Sequence, residues 1–83
     1  MRALIVDDEP VARRVLREEL ELMPGVEVAG EAENGADALQ AISNLHPDVM
    51  FLDLQMPGLD GFSVIRSLSG GPMPVVIVVT AYD

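Results

Sequence analysis

Four short apolar runs, separated by longer stretches of helical periodicity, constrain the fold of this chain more than any other feature. The runs cover residues 3–6, 26–31, 49–52 and 75–79. Three of them are continuously apolar, as in parallel strands that are covered on both faces. The run at 26–31 instead alternates apolar and acidic residues, which is typical of a strand near the edge of a sheet.

The stretches between the runs predict helices. Pro10 suits the first position of a helix, and Asn34 is a good N-cap for a second one. Three stripes of apolar residues recur at helical spacing. They are Val11, Ala12, Val15, Leu16, Leu20 and Met23 in the first, Ala38, Leu39, Ile42 and Leu45 in the second, and Phe62, Ile65 and Leu68 in a short third.

This alternation of strands and helices predicts a single α/β domain with a parallel sheet between two layers of helices. Successive parallel strands need long crossovers, which are right-handed almost without exception. Ligands of such sheets bind at the carboxyl edge, beside the point where the strand order reverses. With the order 2-1-3-4, the first and third strands are neighbours, about 4.8 Å apart.

Acidic side chains follow both of these neighbouring strands. Asp7 and Asp8 come after the first strand and Asp53 after the third, while Thr80 follows the fourth. Carboxylates that lie close together repel one another unless one is protonated or a cation neutralises them. An all-oxygen cluster without His or Cys suits Mg²⁺ better than zinc. The sequence therefore predicts a magnesium site at this edge of the sheet.

An aspartate beside bound Mg²⁺ can attack phosphorus and form an aspartyl-phosphate. One of these aspartates could therefore serve as a nucleophile, and the Thr80 hydroxyl is placed to donate a hydrogen bond to a transferred oxygen. Taken singly, each residue has a local explanation, since Asp7 and Asp8 favour the start of the following helix and Asp53 suits a turn. Their joint placement predicts a phosphoacceptor rather than an enzyme that turns over.

Charge and composition restrict the partners. The chain has 14 acidic and 5 basic side chains, a formal net charge of −9 and no cysteine. The negative charge disfavours direct binding to nucleic acid or to an anionic membrane. The lack of cysteine fits a reducing compartment, and the apolar runs are too short for a signal peptide or a membrane span. These features predict a cytoplasmic protein.

Three segments together resemble the receiver domains of bacterial two-component response regulators. They are the acidic pair after "ALIV", the segment "FLDLQMPGLDG" at residues 51–61, and "VVIVVTAYD" at residues 75–83. The resemblance covers the whole chain and implies a flavodoxin-like, three-layer fold with strand order 2-1-3-4. The "TAYD" ending is similar to receivers that carry LytTR-type DNA-binding domains.

The resemblance also implies roles for individual residues. Asp53 would be the phosphoacceptor, Asp8 and Asp53 would bind Mg²⁺ directly, Asp7 would act mainly through water, and Gln55 would supply a backbone carbonyl. Thr80 would be the switch hydroxyl. The phosphoryl group would come from a phosphohistidine on a sensor histidine kinase, and the signal would pass to an output domain if the native chain carries one.

The sequence also departs from the family. A complete receiver has a fifth strand, two more helices and a lysine that pairs with the phosphoryl group, whereas these 83 residues contain no lysine. We therefore expect residues 1–83 to be a truncated receiver domain whose phosphorylation is slow or undetectable. An unprotected fourth strand predicts self-association by edge pairing or exchange of elements, so the alternative is an inactive receiver fragment that assembles into homo-oligomers.

A flavin-binding protein of the flavodoxin type shares this fold class. However, no phosphate-cradling loop rich in Ser and Thr follows the first strand. The aspartates found there would repel a flavin phosphate, so this third interpretation is disfavoured.

Overall fold

The computed structural model describes residues 1–53, 66 and 74–79, which form a four-stranded parallel sheet with a helix on each face. In chain order the elements are β1 (Arg2–Val6), α1 (Pro10–Glu21), β2 (Glu27–Ala32), α2 (Gly35–Leu45), β3 (Val49–Asp53) and β4 (Val75–Val79). The third predicted stripe, at Phe62, Ile65 and Leu68, lies outside the described residues.

The strand order is β2-β1-β3-β4, and every neighbouring pair is parallel. This confirms the predicted order 2-1-3-4 and the α/β class. In the central pair, Val6 of β1 lies opposite Leu52 of β3, and on the other side of β3, Asp53 lies opposite Val79. The carboxyl ends of β1, β3 and β4 are therefore level with one another.

Side chains of the strands alternate between two cores, one on each face of the sheet. We call the first the α2 face, since α2 packs on it. It consists of Leu4, Val6, Ala32, Ala38, Ile42, Met50 and Leu52. We call the second the α1 face. It consists of Ala3, Ile5, Leu20 and Val49, with Leu16, Val26, Val28 and Phe51 partly buried beside them. Both cores pass through β1, which explains why β1 is covered on both sides.

The predicted starts of both helices are confirmed. Pro10 opens α1, and the Asn34 side chain accepts a hydrogen bond of 2.8 Å from the backbone N–H of Asp37 at the start of α2. At the other end of α2, His46 adopts the left-handed conformation, with φ 49°, and closes the helix. Within residues 1–53, 66 and 74–79, no helix has the length and apolar composition that a membrane-spanning helix requires.

The apolar stripe predicted for the first helix is only partly buried. Val11, Val15 and Met23 are 61%, 51% and 52% exposed, and Met23 lies beyond the end of α1. Val15 borders a cavity of about 390 Å³ that Phe51 also lines, which accounts for the partial exposure of Val15. Among the residues of α1 itself, only Leu20 is buried.

Strand β4 has the most hydrophobic sequence of the four strands and yet is exposed. Val75, Ile77, Val78 and Val79 are 66%, 43%, 46% and 37% exposed, respectively. The strand pairs with β3 along one edge. The expected exposure of this apolar strand is thus observed, whereas self-association stays a prediction.

Candidate functional site

The ends of β1 and β3 bring three carboxylates together. Asp7, Asp8 and Asp53 each offer a carboxylate oxygen, and these oxygens lie within 4.8 Å of one another. The cause is the register of the central strands, because Val6 and Leu52 are partners and the acidic residues follow immediately. The structure therefore assembles at one point the three acids that the sequence placed at this edge.

Asp7 is held in place through three of its polar groups. Its backbone N–H donates to the Ala32 carbonyl at 3.0 Å. Its carboxylate oxygen Oδ1 accepts from the Glu9 N–H at 2.9 Å, and its carbonyl oxygen accepts from Nη1 of Arg13 at 2.7 Å. Three elements thus contact Asp7: β2, the loop between β1 and α1, and α1 itself.

The cluster has a surplus of negative charge. Partial burial raises the pKa of Asp7 above its ordinary value of 3.8, and the negative charges of Asp53, Asp8 and Glu9 raise it further. The hydrogen bond from the Glu9 N–H favours the carboxylate and offsets part of this effect. A group in this situation is stabilised by any cation that approaches its oxygens. The electrostatics therefore favour binding of a cation.

The donor set fits Mg²⁺ in particular. All three ligands are carboxylate oxygens, which are hard donors that magnesium prefers. Two oxygens on opposite sides of a magnesium ion are about 4.2 Å apart, given Mg–O bonds of about 2.1 Å. The three carboxylate oxygens lie within 4.8 Å of one another, so one ion placed between them could draw them together.

Two residues predicted for the site, Gln55 and Thr80, lie outside the described residues. Two further residues beside the cluster, Arg13 of α1 and Glu31 of β2, were not predicted from the sequence. Glu31 of β2 accepts hydrogen bonds from Nε of Arg13 at 3.1 Å and from Nε of Arg17 at 2.6 Å, and the same Arg13 side chain reaches the Asp7 carbonyl. These contacts join positions 18 and 14 residues apart, so no local pattern announces them.

Residues 3–83 match the family of response regulator receiver domains. The chain belongs to this family. The general function of receiver domains is to be phosphorylated by a histidine kinase, and they bind Mg²⁺ at an acidic phosphorylation site. In this receiver domain the acidic cluster is formed by Asp7, Asp8 and Asp53.

Individual relatives support the assignment. The chain is 46% identical over 83 residues to an uncharacterized response regulatory protein of Yersinia pestis, covering 100% of this chain and 35% of the relative. It is 50% identical over 82 residues to a protein-glutamate methylesterase/protein-glutamine glutaminase of Myxococcus xanthus, covering 98% of this chain and 24% of that protein. The chain thus spans about a third or less of the length of these curated relatives.

Solved structures agree with the sequence relatives. The response regulator domain of Thermotoga maritima CheB superposes with a TM-score of 0.88 at 32% identity, covering 96% of this chain and 60% of that domain. This confirms the flavodoxin-like fold of a receiver domain. None of the relatives named here is described as a LytTR-type regulator, so that subgroup stays a prediction.

Proposed function

We propose that this receiver domain accepts a phosphoryl group on Asp53, with Mg²⁺ held by Asp7, Asp8 and Asp53. The observation that carries the proposal is the convergence of the three carboxylates at the adjoining ends of β1 and β3. The raised pKa of Asp7 supports this proposal. Neighbouring negative charges cause part of the rise, and a bound cation would neutralise them.

In the proposed reaction, an oxygen of the Asp53 carboxylate attacks the phosphorus of the donor. A P–O bond to Asp53 forms while the bond between phosphorus and the leaving group breaks, and the leaving group takes its electron pair and a proton. Bound Mg²⁺ supplies positive charge beside the transferred oxygens. We assign to Gln55 a backbone carbonyl ligand for the ion, and to Thr80 a hydroxyl that donates to the phosphoryl group.

The partners follow from the same proposal. We propose that the donor is a phosphohistidine on a sensor histidine kinase, and that an output domain, if the native chain carries one, receives the signal in the cytoplasm. The net charge of −9 supports the view that these residues do not themselves bind nucleic acid or anionic membranes. Any contact with DNA would then belong to the output domain.

Binding of beryllofluoride, which mimics a phosphoryl group on a carboxylate, tests the proposal without a kinase. We expect ¹⁹F NMR to show bound beryllofluoride when Mg²⁺ is present and none when it is chelated. Asp53→Asn should abolish the bound signal. Glu18→Gln, which removes the same charge from an exposed position of α1, should retain it. A bound signal that persists in Asp53→Asn would refute Asp53 as the acceptor.

A second proposal is self-association through β4, and the exposure of Val75, Ile77, Val78 and Val79 favours it. We expect sedimentation velocity to show a concentration-dependent dimer that Ile77→Lys dissociates. Val11→Lys is the matched control, because Val11 is 61% exposed and belongs to α1 rather than to β4. A monomer at all concentrations, or a dimer that Ile77→Lys leaves intact, would exclude this mode of assembly.

A further inference from the structure

The side chain of Arg13, a residue of α1, contacts both β2 and the loop of residues 7–9 that follows β1. Nη1 of Arg13 donates to the Asp7 carbonyl at 2.7 Å, and its Nε donates to Glu31 at 3.1 Å. The side chains of Arg13 and Glu31 are only 17% and 28% exposed. An ion pair that is mostly shielded from solvent, and tied to a backbone carbonyl as well, holds its geometry better than a pair on the open surface.

The carbonyl that Arg13 contacts is well placed to orient the next ligand. The Asp7 carbonyl and the Asp8 N–H belong to one planar peptide unit. A hydrogen bond that fixes the carbonyl therefore also fixes the orientation of the Asp8 N–H. On the other side, the Asp7 N–H is fixed by the Ala32 carbonyl at 3.0 Å. Between these two contacts, the backbone at Asp7 is constrained from both sides.

The other end of the arginine is also anchored. Glu31 accepts from Arg13 through one carboxylate oxygen and from Nε of Arg17 through the other, at 2.6 Å. Guanidinium groups donate in a planar fork, so Arg13 can bond to the carbonyl and to the carboxylate at once, which the compact ammonium of lysine does less well. The pair of arginines on α1 thereby clamps Glu31 of β2.

We infer that Arg13 is a positioning residue for the magnesium site. Through its hydrogen bond to the Asp7 carbonyl, Arg13 holds Asp7 and Asp8 in the orientation that binds the ion. This inference rests on the proposed function, because it concerns the same metal site. Groups that orient metal ligands without touching the metal contribute substantially to affinity. Here the contribution would come from α1 and β2 rather than from the loop itself.

Titration of ¹⁵N,¹³C-labelled protein with Mg²⁺ alone, without a phosphoryl donor, tests this inference. We expect Arg13→Gln to weaken Mg²⁺ binding about tenfold. It should also move the Asp7 carbonyl ¹³C resonance upfield, since a carbonyl that loses its hydrogen bond becomes more shielded. Arg14→Gln removes the same charge from an exposed position on the same helix and should leave both quantities near their wild-type values.

Equal Mg²⁺ affinity in Arg13→Gln and Arg14→Gln would overturn the inference. If Arg13→Gln does not give a folded spectrum, Glu31→Gln decides, with Glu27→Gln on the same strand as its control. Glu31→Gln should then lose more affinity than Glu27→Gln and show the same upfield carbonyl shift, and equality of the two variants would again overturn the inference. A wild-type protein that does not bind Mg²⁺ would instead refute the metal site itself.

Discussion

The two faces of the sheet share the same strands but are packed differently. On the α2 face, Leu4, Met50 and Leu52 are completely buried. On the α1 face, Phe51 is only partly buried and borders a cavity of about 390 Å³ that extends to Asp7 and Asp53. Two of the three clustered carboxylates, Asp7 and Asp53, thus lie beside the cavity of the α1 face.

Neighbouring elements explain this difference better than composition does. Residues 3–6 of β1 and all of β4 are continuously apolar, yet Ala3–Val6 are buried whereas Val75 of β4 is 66% exposed. Strand β1 lies between β2 and β3 with a helix packed on either side. An apolar run therefore predicts a strand reliably, but its burial depends on what the rest of the chain places against it.

The largest expected effect comes from adjacent residues of β3 that point to opposite faces. We expect Leu52→Ala to lower the free energy of unfolding by about 3 kcal/mol, since it leaves a cavity in a closely packed core. Phe51→Ala should cost about 1–2 kcal/mol despite its larger side chain, because part of the ring already faces a cavity. Urea unfolding measures both, and equal losses would contradict the contrast between the faces.

An intermediate effect is expected from adding atoms to each face. A Cβ at Gly30 would lie 2.7 Å from Cδ1 of Leu45, so Gly30→Ala should destabilise the protein by about 1 kcal/mol as Leu45 is displaced. In a Leu45→Ala background the same change should no longer destabilise. Ala12→Leu, which fills the cavity of the α1 face, should be neutral or stabilising by up to about 1 kcal/mol. Destabilisation by Ala12→Leu as large as that by Gly30→Ala would show that both faces are equally tight.

The smallest effect concerns Asp7 at the acidic end of the α1 face. Because its pKa is raised in the folded state, the folded protein binds this proton more tightly than the unfolded chain. The wild type therefore loses stability as the pH rises from 3.8 through the raised pKa. In the presence of a chelator, Asp7→Asn should have the higher melting temperature at pH 7, and the difference should disappear below pH 3.8.

The control for this experiment is Glu18→Gln, an exposed variant with the same change in charge. It should melt close to the wild type at both pH values. A difference between Asp7→Asn and the wild type that widens in acid would contradict the assigned direction of the pKa shift.

Much of the fold is readable from local patterns. The predicted strand at residues 75–79 coincides with β4, and the Pro10 and Asn34 signals mark where α1 and α2 begin. The exposure of Val11 and Val15 on α1 could not be read from the sequence, because it depends on the opposing surface. Periodicity identifies the apolar side of a helix, whereas packing depends on residues that are distant in sequence.

The same distinction applies to the site. Asp7, Asp8 and Asp53 were predictable, because each follows a recognisable strand and parallel strands end at one edge. The contacts of Arg13 were not, because the Asp7 carbonyl and the Glu31 carboxylate have no sequence signature that marks them as its partners. A cluster of carboxylates can be inferred from strand ends, but the side chains that contact it emerge only from tertiary structure.

Intact-mass spectrometry after incubation with acetyl phosphate tests whether Asp53 accepts a phosphoryl group with the help of Mg²⁺. We expect the addition of one phosphoryl group in the wild type and in Glu18→Gln. We expect no addition in Asp53→Asn, or in the wild type when Mg²⁺ is chelated. No gain in mass by the wild type, or a gain that survives Asp53→Asn, would contradict the proposed role of Asp53.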